Sequence, residues 1–380
     1  MDSSVRPNRI VSLQTTTERG GAEYANVDLL AALIARGHEV VLLTNLPDLA
    51  ADTDVPVKMI DLGPKLGRGS LARVLPRSPM ILWRLARALR AEQPIGVLLL
   101  HFKKEQLLCA LLPRGLTGEI VWAEWGPVPP QLRRWPARLL YAWAARRAQR
   151  IIAISQGTKQ SIVATGVPAE KIEVVPNLVD VESVGFGHLG RSELRRAWGV
   201  DEQTLVLGCI SRFHPRKRND VIIDAMAHLD GEDVLLVLAG EGEQEPALRE
   251  RARPYGERVR FVPNVRGQVE AFLSACDLLV FAPSPTEGEP RVIVMAQLVG
   301  VPVVATDSEG ARGLIPPGGG VIVSPPHDAR ALADVVSSYH EDPERRRAEG
   351  EAARKATLES HDTERTLRSV ERALGLRADA

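Results

Sequence analysis

At 380 residues, 44% hydrophobic and 25% charged, the chain has the make-up of a globular protein with room for two domains. An aromatic share of 4% argues against a nucleic-acid binder built on base stacking, and no apolar run reaches the length of a membrane span. Net charge is zero, yet residues 1–180 hold 23 Lys and Arg against 16 Asp and Glu, a net +7, and the remainder 25 against 32, a net −7.

That imbalance has two readings: an anionic partner or membrane surface on the N-terminal side, or an uneven scatter of solvated charge. Cys109, Cys209 and Cys276 are far apart in sequence and sit in apolar surroundings, which reads as three reduced core thiols in a cytosolic protein. The polar N-terminus runs straight into a strand, so no signal peptide is expected.

Arg9 to Leu13 reads as the first strand, and Gln14 to Gly21 as a Thr-rich loop ending in Gly20-Gly21. Ala22 to Arg36 is a predicted helix with Val27, Leu30, Ala31 and Ile34 on one face, stopped by Gly37. Glu39 to Thr44 is the next strand, so the glycine pair lies at the first turn of a βαβ unit, where backbone approaches a ligand. Residues 62–79 read as a Gly/Pro-rich loop and Met80 to Ala91 as a basic helix. Gly96 to Leu100 is a strand ending at His101, and Ile120 to Trp122 another, leading to Glu124-Trp125-Gly126-Pro127. Trp135 to Gln149 is a predicted helix crowded with Arg and Trp. A strand at Arg150 to Ser155, a helix to Thr165 and a strand at Lys171 to Pro176 close this half.

Asn177 to Gly190 is less regular, and the domain boundary is expected there. A second alternation follows: strands at Leu205 to Ser211 and Val234 to Gly240, helices at Asp220 to His228 and Glu245 to Tyr255, then Val259 to Val262 and Val269 to Ala275. Leu278 to Phe281 is a buried strand, Pro283 to Gly288 a loop with Glu287 at its corner, and Pro290 opens a helix. Val301 to Ala305 and Val321 to Ser324 are further strands, and residues 343–374 are charged and helical. Two rounds of βα alternation imply two doubly wound parallel sheets, with the cleft between them as the expected ligand site.

The motifs, taken in order, resemble the retaining glycosyltransferases of family four, whose two Rossmann-like domains form the GT-B fold. They are Gly20-Gly21-Ala22-Glu23, Arg36-Gly37-His38-Glu39-Val40, Ile152 to Ser155, Val175 to Asp180, Ser211 to Lys217, Gly240-Glu241-Gly242 and the stretch around Glu287. The resemblance implies a metal-independent hexosyltransferase that takes a UDP- or GDP-sugar as co-substrate and needs no further cofactor. It implies three catalytic residues: Arg212 and Lys217 on the donor diphosphate and Glu287 on hydroxyls of its sugar. It implies donor contacts from Gly20, Gly21, Val265, Gly288, Glu289, Pro290, Arg291, Val292 and Met295. It places Trp125, Glu124 and His101 on the acceptor or sugar side, with a structural role as the other reading of His101.

Two positions depart from the pattern. Met295 stands where the family carries a ribose-binding Glu, and Trp125 where it carries a His near the reacting carbon. A nucleotide-sugar-binding protein without full transfer activity is therefore the competing reading. The acceptor is open between a small molecule and a lipid-linked one. The helix around Trp135 to Arg150 can rest on an anionic membrane at its inner face or be an ordinary packed helix with a solvated Arg face. The expected domains are 1–183, 184–355 and a terminal helix, 356–380, returning to the first domain.

Overall fold

A computed structural model describes residues 9–16, 20–51, 53–63, 78–182, 184–229, 233–285 and 287–376. Most of the loop expected at 62–79 lies outside these residues. Contacts divide the chain into two units, one of 1–178 with 364–380 and one of 179–363.

The first unit is built on seven parallel strands: β1 (Arg9–Gln14), β2 (Glu39–Thr44), β3 (Val57–Met59), β4 (Val97–Leu100), β5 (Glu119–Glu124), β6 (Ala148–Ala153) and β7 (Ile172–Val174). Their order is β3-β2-β1-β4-β5-β6-β7. The second unit has six: β8 (Leu205–Ile210), β9 (Val234–Ala239), β10 (Val259–Val262), β11 (Leu278–Phe281), β12 (Val303–Thr306) and β13 (Gly320–Val323), ordered β10-β9-β8-β11-β12-β13. Both are the doubly wound parallel sheets that the alternation implied. β9 shows the cause: its sequence, VLLVLA, is apolar at every position and buried on both faces.

Three local expectations are corrected. The helix expected over Trp135 to Gln149 spans Ala137–Ala145, because Ala148 already pairs with Ile120 of β5. The helices Lys103–Ala110 and His188–Ala197 were not predicted; the first carries no clear apolar stripe, and the second falls across the expected domain boundary. The division expected after residue 355 falls inside the helix Pro343–Ser360. That helix packs flush on the second unit: a Cβ on Gly350 would lie 2.0 Å from the Gly300 carbonyl oxygen. The chain leaves the second unit only at Thr363, and it enters at Val179 rather than after 183.

The last helix, Thr363–Leu374, packs in the first unit. Leu367, Val370, Ala373 and Leu374 join an apolar cluster with Ile10, Leu30 and Leu42. Glu371 accepts from Arg36 Nε and pairs with His38 Nε2, both at 2.8 Å. Burial pulls the Glu371 carboxyl upward, but these two partners outweigh it and hold the group below its usual range.

Candidate active site

In the second sheet the chain runs outward through β8, β9 and β10 and then returns to β11 on the other side of β8. The crevice at the carboxyl ends of β8 and β11 is a topological switch point, the usual ligand edge of such sheets. Three loops meet there. The loop after β8 carries Arg212 and Lys217, that after β9 carries Gly240 to Gly242, and that after β11 carries Glu287. Gly240 has φ 147° and a Cβ there would lie 2.0 Å from the Ser211 carbonyl oxygen, so only glycine lets the first two loops touch.

The third loop is pinned from both sides. Ser284 N–H donates to the Arg216 carbonyl at 2.7 Å, Glu287 N–H to the Ser284 carbonyl at 3.1 Å and Gly310 N–H to the Glu287 carbonyl at 3.1 Å. The helix Glu309–Leu314 starts on a Ser308 side-chain cap and lies against the loop, with the Gly288 carbonyl oxygen only 2.0 Å from where a Cβ on Gly310 would be.

On this frame Lys217 Nζ meets Glu287 Oε1 at 2.8 Å, and the ammonium lies 5.3 Å from the centre of the Phe281 ring. Arg212 Nη2 reaches Glu243 Oε2 at 3.2 Å, and His214 Nε2 stands 3.6 Å from the same carboxylate. Glu243 is held below the usual carboxylate range, first by its own backbone N–H, with Arg212 and His214 adding to it. Two cations and two carboxylates thus gather at one sheet edge.

The helix Arg291–Leu298 begins after Pro290, which puts the amides of Arg291 and Val292 in its first turn, the end that favours an anion. Gly288 and Pro290 are buried, while Glu289, Arg291 and Val292 are half-buried. Val265 is half-buried in the turn after β10, against the apolar side of the sheet. Met295 is half-buried and packs with the Val179, Val184, Val294 and Leu298 cluster, so its thioether belongs to the core lining.

The first sheet has its own switch point, between β1 and β4. His101 follows β4, is 3% exposed and bonds on both sides. Trp125 Nε1 donates to its Nδ1 at 2.9 Å, and Nε2 lies 2.8 Å from Ser12 Oγ. An indole N–H can only donate, so Nδ1 is the acceptor and the ring proton sits on Nε2. Burial lowers the His101 pKa to about 3. The ring is a neutral strut that orients Trp125.

Glu124 does not share that role. It is 4% exposed and accepts from Tyr141 Oη at 3.0 Å and Gln106 Nε2 at 2.9 Å, with Lys103 as a further partner. This corrects the expectation that it stands on the acceptor side: it is turned into the layer of helices, as the alternation of strand side chains requires. Gly20 is the extended N-cap of the helix Gly21–Ala35, and a Cβ on Gly21 would meet nothing within 4 Å, so neither needs to be glycine for the backbone's sake.

Sequence reasoning missed Glu105. It is fully buried, and its carboxylate accepts from Thr15 N–H at 2.5 Å, Thr15 Oγ1 at 2.6 Å and Phe102 N–H at 3.0 Å. Burial still raises its pKa to about 7. It anchors the backbone at Thr15, just past the end of the first strand. Glu at the third position of a helix is a readable capping signal, but the helix itself went unread.

Residues 19–183 match the model of Glycosyltransferase Family 4, and residues 190–356 that of Glycosyl transferases group 1. The chain belongs to the family-four glycosyltransferases. Among relatives of this glycosyltransferase, a GDP-mannose-dependent monoacylated alpha-(1-6)-phosphatidylinositol monomannoside mannosyltransferase of Corynebacterium glutamicum is 33% identical over 43% of this chain and 45% of its own. A D-inositol 3-phosphate glycosyltransferase of Kribbella flavida is 32% identical over 57% and 54%. The chain thus spans about half the length of these two relatives. An N-acetyl-alpha-D-glucosaminyl L-malate synthase of Bacillus anthracis is 24% identical over 93% of both chains. A solved structure of Anabaena HepE with UDP-glucose is similar in fold, with TM-score 0.81, 24% identity and coverage of 97% of this chain and 99% of that one.

Proposed function

We propose that this glycosyltransferase moves a sugar from a UDP- or GDP-sugar to an acceptor hydroxyl with retention of configuration. The observation that carries the reading is the Lys217–Glu287 pair at the switch point of the second sheet, with Arg212 on the same loop as Lys217. Expelling a nucleoside diphosphate builds negative charge on its phosphate oxygens. A planar guanidinium, a point ammonium and the first turn at Arg291 are suited to stabilise that charge as it grows. Glu287 accepts hydrogen bonds from the sugar hydroxyls while its partner Lys217 turns to the phosphate. The acceptor oxygen bonds to the anomeric carbon on the face from which the diphosphate departs. The leaving phosphate takes the acceptor's proton, so no side-chain base and no resident metal enter the scheme. Relatives named for GDP-mannose and a fold neighbour holding UDP-glucose support keeping both bases. Relatives named for phosphatidylinositol mannoside, inositol phosphate and malate support a small-molecule or lipid-linked acceptor.

A thermal-shift screen of UDP- and GDP-sugars, followed by donor turnover and the anomeric configuration of the product, tests this. One donor should raise the midpoint and be consumed with its configuration kept. Failure of every donor to bind and turn over overturns the reading. A second reading, binding without transfer, is favoured by Trp125, whose indole is committed to His101, and by Met295, which lines the core. Binding without hydrolysis or transfer, with activity gained on combining Trp125→His and Met295→Glu, would select it.

A further inference from the structure

The helix Ala137–Ala145 buries Tyr141, Ala144 and Ala145 and leaves its other face open. On that face Leu139, Leu140 and Trp143 are 54%, 51% and 40% exposed, and Trp135, just before it, is 78% exposed. The helical spacing of Leu139, Leu140 and Trp143 makes a single apolar stripe, which Trp135 adjoins in sequence. A large apolar patch left in water marks an interaction surface.

The charge around the stripe says what kind. Arg133, Arg134, Arg138, Arg146 and Arg150 are all exposed. None of them makes an ion pair with another described residue. No Asp or Glu occurs between Glu124 and Glu170, while that stretch holds six Arg and one Lys. A folded surface normally intersperses both signs. Here one helix joins an apolar stripe with two tryptophans to an unopposed cationic flank. The same layer of helices offers a second example: the helix Ser78–Ala91 packs through Ile81, Leu85 and Leu89 and exposes Met80 and Trp83, with the Arg87 guanidinium 5.5 Å from the Trp83 ring.

We propose that this face of the first unit docks on an anionic lipid bilayer. Trp135, Leu139, Leu140 and Trp143 enter the boundary between headgroups and acyl chains, and the arginines stay with the lipid phosphates. Tryptophan suits that depth because its ring is apolar and its N–H polar. Arginine stems lie along the apolar zone while their heads remain wet. Neither element suffices alone: a short apolar stripe is weak, and arginines alone bind only at low salt. The docking stands apart from the transfer reaction and can succeed or fail without it.

The test is co-sedimentation of the full chain with vesicles of phosphatidylglycerol and phosphatidylcholine, beside phosphatidylcholine alone, with tryptophan emission read in parallel. Binding to the anionic vesicles, a blue-shifted emission, release at high salt and little retention on neutral vesicles are expected. Arg133→Gln with Arg134→Gln should weaken binding about fivefold for each charge removed. Trp135→Ser with Trp143→Ser should abolish the emission shift. All four side chains are exposed, so an unchanged thermal midpoint verifies folding in both variants. Failure to bind anionic vesicles at low salt would overturn the proposal, as would equal binding by the variants. So would sedimentation equilibrium showing that the stripe instead joins two copies of the chain.

Discussion

Lys217 and Glu287 are 70 residues apart in the chain and 2.8 Å apart in space. Neither side chain is fully buried, at 24% and 16% exposure, so the pair contributes only about 1 kcal/mol to folding. Its significance lies in holding the two groups that the proposed reaction would use. Lys217→Ala should leave the thermal midpoint nearly unchanged and lower kcat for the identified donor by about 10²–10³-fold, as loss of one charge-stabilising group does. Glu287→Gln should fold normally and weaken donor binding, read as a smaller ligand-induced shift. Wild-type turnover in Lys217→Ala would remove the ammonium from the mechanism.

Gly310 governs the same corner from the neighbouring helix. A Cβ there would meet the Gly288 carbonyl oxygen at 2.0 Å and Pro290 Cδ at 2.7 Å. Gly310→Ala must push the loop at 287–290 outward, at a cost of about 1–3 kcal/mol. Reduced stability together with weaker donor binding is expected. Gly21→Ala, with open space around the new methyl, is the control that should leave stability unchanged.

Trp125 and His101 test whether the departure at Trp125 is structural. Trp125→Phe keeps an aromatic ring but removes the donor to His101 Nδ1 found among the described residues, leaving a buried acceptor unsatisfied. Destabilisation by about 1–3 kcal/mol is expected in denaturant unfolding. A stability equal to wild type would mean that the indole hydrogen bond contributes nothing.

The pH dependence of stability has a definite sign at His101. Its folded pKa is lowered from 6.5 to about 3 by burial, so below 6.5 the unfolded chain takes up a proton that the folded chain refuses. Stability is therefore lost as pH falls from 6.5 toward 3. Glu105 acts oppositely: burial raises its pKa from 4.5 to about 7, and its contribution, full at low pH, is lost as pH rises through that range. Comparing wild type with His101→Gln in urea across these pH values isolates the histidine. The wild type should lose more stability on acidification than the variant, and parallel curves would contradict the assignment.

Much of this protein was determined by local sequence. Short runs such as VLLVLA of β9, rich in Val and bounded by turn formers, read as strands buried on both faces, and their alternation with helices leads to two parallel sheets. The family resemblance of the ordered motifs singled out Arg212, Lys217 and Glu287, and the fold brings their loops together because loops after parallel strands converge at one sheet edge whatever their separation in the chain. Side-chain partners are another matter. They depend on which way each residue points and on what arrives from distant elements. Glu124 stands next to Trp125, strand alternation turns it to the opposite face, and only the structure shows that Gln106 and Tyr141 are the partners it meets there. Glu105 was invisible because its helix has no apolar stripe, and its role exists only where Thr15, 90 residues away, meets it. The end of the second unit at Thr363 was likewise decided by packing: Gly350 must lie against Gly300, and no periodicity in a charged helix records that contact.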